Sequence, residues 1–365
     1  MRKFLKKLYK NLIVKIFNLI YGKISCLTDP KTDKNILIDK IKDSNICKYN
    51  KNNYSIIKVF NGRVCTDFVE NVAVISGNRI IDKFSYQQIN GELKSAEYNS
   101  SLYRGTPYFK KKFNGKVLSL TQGASGHKNY FHWLFDILPK IKLFSKLYNI
   151  EDLNYLYLSK LENYQRTTFD CLGLNKIKII DAKKYKHIQA DELFISEHPW
   201  YYKGTILEQA HTLPSWIIKW VASSFTEYAQ KFECSEKVYI DRSESPFSHC
   251  QIQNNSEIIE FLEGKGFKSY KVGQLPFLNQ VYLFNNAKEI IGAHGAAFAN
   301  LVFCKEGTKV IEIKPKSRPN LVSKTISDTQ NLNFNLIETD NLIENKNKNK
   351  NGDIFLDKNL INNFL

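Results

Sequence analysis

The segment His294-Gly295-Ala296 joins a strand-like run, 287–293, to a helix-like run, 296–303. A strand that ends in a glycine-containing turn and begins a helix leaves backbone N–H groups without partners, and the helix dipole adds positive potential there. The turn therefore suits a phosphate group, with His294 as a further donor and Gly295 allowing close approach. The alternative is that the turn only closes the fold.

A second unusual stretch is the apolar run NYFHWLFDILP, residues 129–139. As a helix it is apolar nearly all round, which predicts burial. At 100° per residue, Asn129, His132 and Asp136 fall within about 60° of one another. Such polar groups either form an internal hydrogen-bond network, with His132 and Asp136 bonded to each other, or face a cleft.

In a cleft, a His–Asp pair can deprotonate an acceptor hydroxyl. We favour Asp136 as the base, because a carboxylate is ready to accept a proton at neutral pH and a buried imidazole is tied up as its donor. The reverse assignment, with His132 as the base and Asp136 orienting it, is the alternative.

Two further charged residues lie at or near strand ends. Arg242 follows the strand 238–240, so it lies at the sheet edge where the His294 turn also lies, and its guanidinium suits a diphosphate. The alternative for Arg242 is a surface pairing with Asp241 or Glu244. Glu312, within the strand 310–313, suits a ribose diol or else forms a salt bridge.

The elements that position these residues alternate between strand and helix. From 237 to 340 the alternation is regular and predicts an α/β fold: a parallel sheet with helices on both faces, which binds ligands at the carboxyl ends of its strands. Short strands fill 54–120, and the alternation resumes from about 127. We predict four segments: a basic amphipathic helix (1–23), an N-terminal acceptor-side domain (24–230), a C-terminal nucleotide-sugar-binding domain (231–340) and a polar tail (341–365).

The chain has 365 residues and a formal net charge of +17, which predicts an anionic partner. No block of charge resembles a nucleic-acid-binding arm, so no nucleic-acid partner is expected. The first 23 residues hold seven cations and no acid: Arg2, Lys3, Lys6, Lys7, Lys10, Lys15 and Lys23.

Leucine and isoleucine recur at helical spacing in the same segment, at Leu5, Leu8, Leu12, Ile16 and Leu19. This pattern predicts a helix that lies on an anionic membrane; the alternative is that its apolar stripe packs on the protein body. The seven cysteines are widely spaced without zinc-like motifs, which favours reduced thiols. We therefore expect a cytoplasmic protein, peripheral on the membrane.

These residues together resemble glycosyltransferase family 61. The resemblance rests on the 129–139 helix, the Tyr239–Arg242 strand end, the 291–296 turn followed by Asn300-Leu301, and the strand 310–312, in that order. It implies a GT-B architecture, two Rossmann-like domains facing a cleft. It further implies a nucleotide-sugar donor, usually a UDP-sugar, held mainly by the C-terminal domain, and inversion at the anomeric carbon. The implied acceptor is a glycan or lipid-linked glycan in surface polysaccharide or capsule synthesis.

On this basis the donor diphosphate lies on the amides after His294, neutralised by His294 and Arg242. The remaining substrate-binding residues of the prediction are Asn129, Gly295, Ala296, Asn300 and Glu312. No Asp-x-Asp pair stands at a strand end, so we expect transfer without a metal and without any cofactor beyond the donor.

The chain departs from the family pattern in two places. The stretch 250–255 lacks the basic residue and Asn-Glu that the family often has, and Ala297 and Ala299 replace glycine and threonine. Two other classes of function are open. One is a basic module that binds an anionic surface; the other is an epimerase-like or catalytically silent relative that only binds sugars.

Overall fold

The computed structural model describes residues 2–43, 45–46, 53–67, 71–121, 128–201, 203–243, 250–318, 321–339 and 352–365, without the side chains of 2–4, 6, 7 and 207. Within these residues the chain forms eleven α-helices. They are α1 Arg2–Tyr21, α2 Ser101–Arg104, α3 Tyr130–His132, α4 Leu138–Ser145, α5 Asn163–Cys171, α6 Ile206–Gln209, α7 Ser215–Phe225, α8 Asn255–Glu263, α9 Phe277–Asn286, α10 Val322–Thr329 and α11 Lys358–Asn362.

Tighter or wider helical turns supplement them. A π-helical turn spans Trp133–Ile137, and 3-10 helices span Ala96–Tyr98, Ile150–Asp152, Ala210–Thr212, Thr226–Tyr228, Val272–Gln274 and Ala296–Phe303. The run after His294 is thus helical, as predicted, but with 3-10 geometry.

The strands of the described chain form two sheets. The first contains β1 Cys26–Thr28, β2 Ile36–Lys40, β3 Ser55–Phe60, β4 Arg63–Thr66, β5 Asn71–Ser76, β6 Arg79–Ile81, β7 Tyr86–Ile89, β8 Glu92–Lys94, β9 Lys110–Ser119, β10 Tyr155–Leu158, β11 Lys178–Asp181 and β12 His187–Ser196. The second contains β13 Lys237–Ile240, β14 Lys268–Tyr270, β15 Glu289–Ala293, β16 Lys309–Pro315 and β17 Asn333–Thr339. The protein is mixed α/β with parallel strands in both sheets.

The chain divides into two compact units. The N-terminal unit holds residues 1–162 and 174–214, and the C-terminal unit holds 163–173 and 215–365. The division differs from the junction expected near residue 230, because helices α5 and α7 belong with the C-terminal unit. The reason is packing: α5 contacts α7 and α9, and α7 contacts α10.

The C-terminal sheet is parallel throughout, in the order β14-β13-β15-β16-β17. Counted along the unit, this is the order 2-1-3-4-5 of a doubly wound fold, whose ligand site lies between its first and third strands. Along β16, Ile311 and Ile313 pack in one core with α8 and α11, while Glu312 bonds to α10 through Ser323. Helices therefore cover both faces, as the alternating sequence predicted.

The N-terminal sheet combines parallel and antiparallel strands. Its strands β11-β10-β9-β12 are parallel neighbours, the order 3-2-1-4 of a Rossmann half, and β3 and β4 extend it antiparallel to β12. The order reverses between β9 and β12, so the carboxyl ends of these two strands mark the expected ligand site of this unit.

Helix α1 contacts the N-terminal unit through one face only. Phe17 is buried, its ring 5.2 Å from that of Phe109, and the Tyr21 hydroxyl accepts from the Lys110 amide at 3.0 Å. The predicted apolar stripe is exposed, from 41% at Ile16 to 87% at Leu19. The stripe therefore does not pack on the protein body. Among the described residues, no helix has the length and hydropathy that a membrane span requires.

The end of the chain is not a polar tail throughout. Ile354, Leu356 and Ile361 are buried in the core of the C-terminal unit, and Ile354 bridges to Ile252. These apolar residues add to that core, so 352–365 belong to the unit. Residues 340–351 lie outside the described residues.

Candidate active site

The helix that carries His132 and Asp136 begins at Tyr130, eleven residues after the end of β9. Asn129 is its N-cap, and the side-chain oxygen accepts from the backbone amides of Phe131 and His132 at 3.0 and 3.4 Å. The asparagine therefore fixes the start of the helix, the usual role of that side chain at this position.

His132 and Asp136 form a short hydrogen bond one turn apart. The His132 Nδ1 and Asp136 Oδ2 atoms are 2.6 Å apart, which bears out the pairing predicted from their spacing. The Asp136 side chain is completely buried, whereas 15% of the His132 side chain is exposed. With an ionised carboxylate at Nδ1, that nitrogen carries the proton and Nε2 is the imidazole's acceptor.

The loop after β12 completes the surroundings of Asp136. The indole Nε1 of Trp200 donates to Asp136 Oδ1 at 2.8 Å, so each carboxylate oxygen accepts a hydrogen bond. His198 Nε2 lies 3.8 Å from Oδ2. Burial alone raises the pKa of Asp136, but attraction to His132 and His198 and the hydrogen bond with His132 lower it well below its usual range. Asp136 is thus held ionised.

His198 has a fixed orientation. Its Nδ1 accepts from the backbone amides of Trp200 and Tyr201 at 3.3 and 3.1 Å, so Nε2 carries the proton and points it at Asp136. Burial lowers the pKa of His198 to about 4, against the opposing pull of Asp136. The ring is therefore neutral at pH 7, and it turns an N–H towards the carboxylate.

A buried lysine lies on the same helix. Lys140 donates to the Thr121 carbonyl at 3.3 Å, and burial lowers the pKa of Lys140 to about 7, although Asp136 opposes that shift. Thr121 follows β9 and its hydroxyl is 2.8 Å from that of Ser119. Polar side chains thus collect at the carboxyl ends of β9 and β12, where the strand order reverses.

The C-terminal unit contains a second histidine–carboxylate pair. His294 Nδ1 lies 2.6 Å from Glu312 Oε1, and the Ser323 hydroxyl donates to the same oxygen at 2.8 Å. Glu312 is almost fully buried, while 14% of the His294 side chain is exposed. Glu312 therefore orients His294, a different role from the predicted ribose contact.

Arg242 packs directly on the turn that follows His294. A Cβ at Gly295 would stand 1.1 Å from Arg242 Nη1, so only glycine leaves space for the guanidinium. The backbone of Gly295 is extended, and the 3-10 helix begins after it with Phe298 donating to the Gly295 carbonyl at 3.0 Å. Burial lowers the pKa of Arg242. At ordinary pH the group is still a cation beside the first amides of the helix.

The predicted residues fall into two groups, one in each unit. His132, Asp136 and Asn129 form the first, and Arg242, His294, Gly295, Ala296 and Glu312 form the second. Asn300 stands apart: it is completely buried, and its amide donates to Gln280 and to the Ala297 carbonyl, so it supports the turn from below. Asp241 accepts from Ser243 and Asn255. Glu244 lies outside the described residues.

Three site residues were missed from the sequence: His198, Trp200 and Ser323. The stretch His198-Pro199-Trp200-Tyr201 follows strand β12, and its mixture of histidine and aromatic residues is a signal that was available. Ser323 carried no such signal.

Within the described part of the chain, no cluster of three or more histidine, cysteine, aspartate or glutamate side chains has a metal-binding arrangement. The six cysteines described there are free thiols, and Cys47 lies outside.

The family model described as Glycosyltransferase 61 matches residues 130–311, about half of the chain, and this confirms the resemblance seen in the sequence. The match includes His132, Asp136 and His294 and ends one residue before Glu312. No curated protein matches the chain.

Among solved structures, the chain is similar to a dodecameric iron-containing heptosyltransferase, TibC, in complex with ADP-D-β-D-heptose. Identity is 12%, the match covers 77% of each chain, and the TM-score is 0.29. That score is too low to establish a common fold.

Proposed function

Since the chain belongs to glycosyltransferase family 61 and is therefore a glycosyltransferase, we propose that it moves a sugar from a UDP-sugar to a glycan or lipid-linked glycan. We further propose that the transfer inverts the configuration at the anomeric carbon. The proposed role of the enzyme is the synthesis of a surface polysaccharide such as a capsule. The observation that carries it is the pair of oriented histidines, one suited to hold a diphosphate and one suited to accept a proton.

The C-terminal unit is the proposed donor site. Residues 294–297 are partly accessible between buried neighbours, and there the Arg242 guanidinium, the His294 ring and the first amides of the 3-10 helix come together. Glu312 fixes His294 through Nδ1, so Nε2 is directed to a ligand. A cation and several N–H donors at the carboxyl ends of β13 and β15 suit a diphosphate.

Titration with UDP tests the donor site. Arg242→Ala and His294→Ala should each weaken UDP binding about tenfold to a hundredfold, the effect of losing a charged hydrogen bond. Lys316→Ala, an exposed lysine after β16, is the matched control and should bind UDP normally. Unchanged affinity in both site variants would remove Arg242 and His294 from the donor site.

Transfer is proposed to need no metal. Arg242, His294 and the helix amides offset the charge that develops on the leaving diphosphate, the task a divalent cation performs in other enzymes. Turnover should persist in EDTA. Abolition by the chelator, with recovery on adding manganese, would contradict this part of the proposal.

His132 is the proposed base, which reverses the assignment favoured from the sequence. Asp136 has no exposed surface and both of its oxygens accept hydrogen bonds, so a substrate hydroxyl does not reach it. The His132 ring is partly exposed, and Asp136 stabilises the imidazolium that forms.

In the proposed reaction the acceptor hydroxyl attacks the anomeric carbon from the face opposite the diphosphate. The new C–O bond forms as the bond to the β-phosphate oxygen breaks, and the hydroxyl proton passes to His132 Nε2. The electron pair of the broken bond stays on the diphosphate, beside Arg242 and His294. Displacement in line inverts the anomeric centre.

A GT-B arrangement is proposed for the two units. The strand orders 3-2-1-4 and 2-1-3-4-5 are those of nucleotide-binding α/β domains and support it.

An epimerase-like or catalytically silent relative is the competing function. Incubating donor with and without acceptor separates them: a transferase forms a glycoside only with acceptor, an epimerase changes the donor alone, and a silent relative changes neither.

Helix α1 is proposed to hold the enzyme on the cytoplasmic face of an anionic membrane. Its apolar stripe is exposed, including Leu8 and Leu12, and the opposite face is docked through Phe17. Deleting 1–22 should abolish sedimentation with phosphatidylglycerol vesicles and leave UDP binding intact. Leu8→Ser/Leu12→Ser is a sharper test, since it removes only exposed apolar groups. Equal sedimentation of truncated and full-length chains would refute the proposal.

A further inference from the structure

We propose that Arg318 is a second guanidinium of the diphosphate site, acting together with Arg242. The inference rests on the proposed donor site and adds to it a residue that the sequence did not single out. The group that Arg318 recognises is the diphosphate, whichever base and sugar are attached to it.

The topology brings three residues to one edge of the C-terminal sheet. Strands β13, β15 and β16 are adjacent and parallel, and Arg242, His294 and Arg318 follow them in that order, two, one and three residues past the strand ends. Neighbouring strands lie about 4.8 Å apart, so β13 and β16 are separated by about 10 Å. Two arginine side chains can close that gap from either side of His294.

Each arginine lies against a glycine. The Arg242 guanidinium occupies the place of a side chain at Gly295. Arg318 lies against Gly352, where an added Cβ would stand 3.7 Å from Arg318 Nε and 3.8 Å from its Cγ. Gly352 has φ +69°, a conformation that favours glycine, and it belongs to the segment that packs beside 250–254. Both side chains thus lie along backbone and are only partly exposed.

The Cys250 thiol is influenced by the charges of both arginines. This thiol is buried; burial raises its pKa, while Arg318 and Arg242 both lower it. Both cations therefore lie within electrostatic range of one buried sulfur. Asp353 and Glu312 raise the pKa of the thiol. Asp353 accepts from the Gln251 amide at 3.1 Å, and Glu312 bonds to His294.

The chemistry matches a diphosphate better than a single phosphate. Two forked guanidinium groups on either side of a histidine can each bond a different phosphoryl group, and together they offset two negative charges. One arginine alone holds one phosphoryl group. Arg318 therefore contributes most when the ligand carries two linked phosphates.

Titration of the full-length protein with inorganic pyrophosphate and with orthophosphate tests this directly. Arg318→Gln should weaken pyrophosphate binding about tenfold or more, as Arg242→Gln does, and change orthophosphate binding much less. Arg318→Lys keeps the positive charge but lacks the forked guanidinium. Its pyrophosphate affinity should therefore lie between those of the wild type and Arg318→Gln. Lys316→Gln is the matched control for charge alone, and circular dichroism confirms that each variant is folded.

Two outcomes overturn the inference. If Arg318→Gln binds pyrophosphate like the wild type while Arg242→Gln is impaired, Arg318 is not part of the site, although the donor site is correct. If Lys316→Gln loses as much affinity as Arg318→Gln, the effect is general charge and not recognition. Normal binding in the Arg242, His294 and Arg318 variants alike refutes the donor site itself.

Discussion

Each of the two units contains a histidine bonded to a buried carboxylate, but the surroundings of the two pairs differ. In each, a histidine donates through Nδ1 to a buried carboxylate at 2.6 Å, and its exposed fraction is 15% for His132 and 14% for His294. His294 directly follows a strand at the point where the strand order reverses, and Asp136, the partner of His132, bonds to Trp200 in the loop after β12, the strand at the other such point. The orientation of an imidazole therefore does not by itself define its role.

What differs is the neighbouring charge. The Asp136 carboxylate accepts a hydrogen bond from Trp200, and the neutral His198 ring lies 3.8 Å away, so polar groups around the pair keep the carboxylate ionised. His294 instead lies beside the Arg242 guanidinium and the start of a 3-10 helix. The first setting suits proton transfer, and the second suits binding of an anion.

The largest effect is expected from removing the charge of Asp136. Asp136→Asn offers one acceptor oxygen to two donors, His132 Nδ1 and Trp200 Nε1, and no longer stabilises the imidazolium. Turnover should fall about 10²-fold or more, with UDP affinity unchanged. Trp200→Phe removes one donor and leaves the histidine bond, so it should cost much less. Near-normal turnover of Asp136→Asn would show that the pair is structural.

The acid stability of the N-terminal unit should depend on His198. Its pKa of about 4 in the folded protein lies below the value of about 6.5 in an unfolded chain. The contribution of His198 to the unfolding free energy is therefore fully present above pH 6.5. It is lost as the pH falls towards 4, and the loss reaches up to about 3 kcal/mol. His198→Gln should flatten the dependence of the unfolding free energy on pH in this window.

His187 provides the internal control for that measurement. Burial lowers the pKa of His187 to about 3, and this residue is present in both proteins, so it contributes the same slope to each. The difference between wild type and His198→Gln then reports His198 alone. Parallel curves from pH 6.5 to 4 would contradict the assignment of a neutral, buried His198.

A smaller effect is expected at Gly295. Gly295→Ala places a methyl group where Arg242 Nη1 now lies, so the guanidinium must move and UDP affinity should fall about tenfold. Gly273→Ala is the matched control, because an added Cβ there meets no atom within 4 Å. Calorimetric titration measures both, and equal affinities would mean that Arg242 does not contact the donor from its present position.

The sequence predicted most elements that position the two sites. Apolar runs predicted strand β13 to within one residue and the central part of strand β16, because such runs are typical of buried parallel strands. Helical spacing gave the His132–Asp136 bond, although Trp133–Ile137 adopts a π turn. Both features depend on residues close together in the chain.

Features that depend on distant pairing were not predictable. Trp200 and Asp136 are 64 residues apart in the chain, and the pairing of β12 with β9 brings them together. No pattern of neighbouring residues predicts the register of that strand pairing. Ser323 meets Glu312 through the packing of α10 on β16. The apolar residues after 351 were assigned to a tail for the same reason, since their core partners, including Ile252, lie about a hundred residues earlier.

The most direct test of the central claim compares His132→Gln with His294→Gln in one experiment. UDP affinity is measured by calorimetry, and the rate of sugar transfer is measured at saturating donor. We predict that His132→Gln binds UDP normally and turns over about 10²-fold or more slowly, while His294→Gln binds UDP about tenfold or more weakly. The same pattern of loss in both variants, or the reverse assignment, would contradict the division of roles between the two pairs.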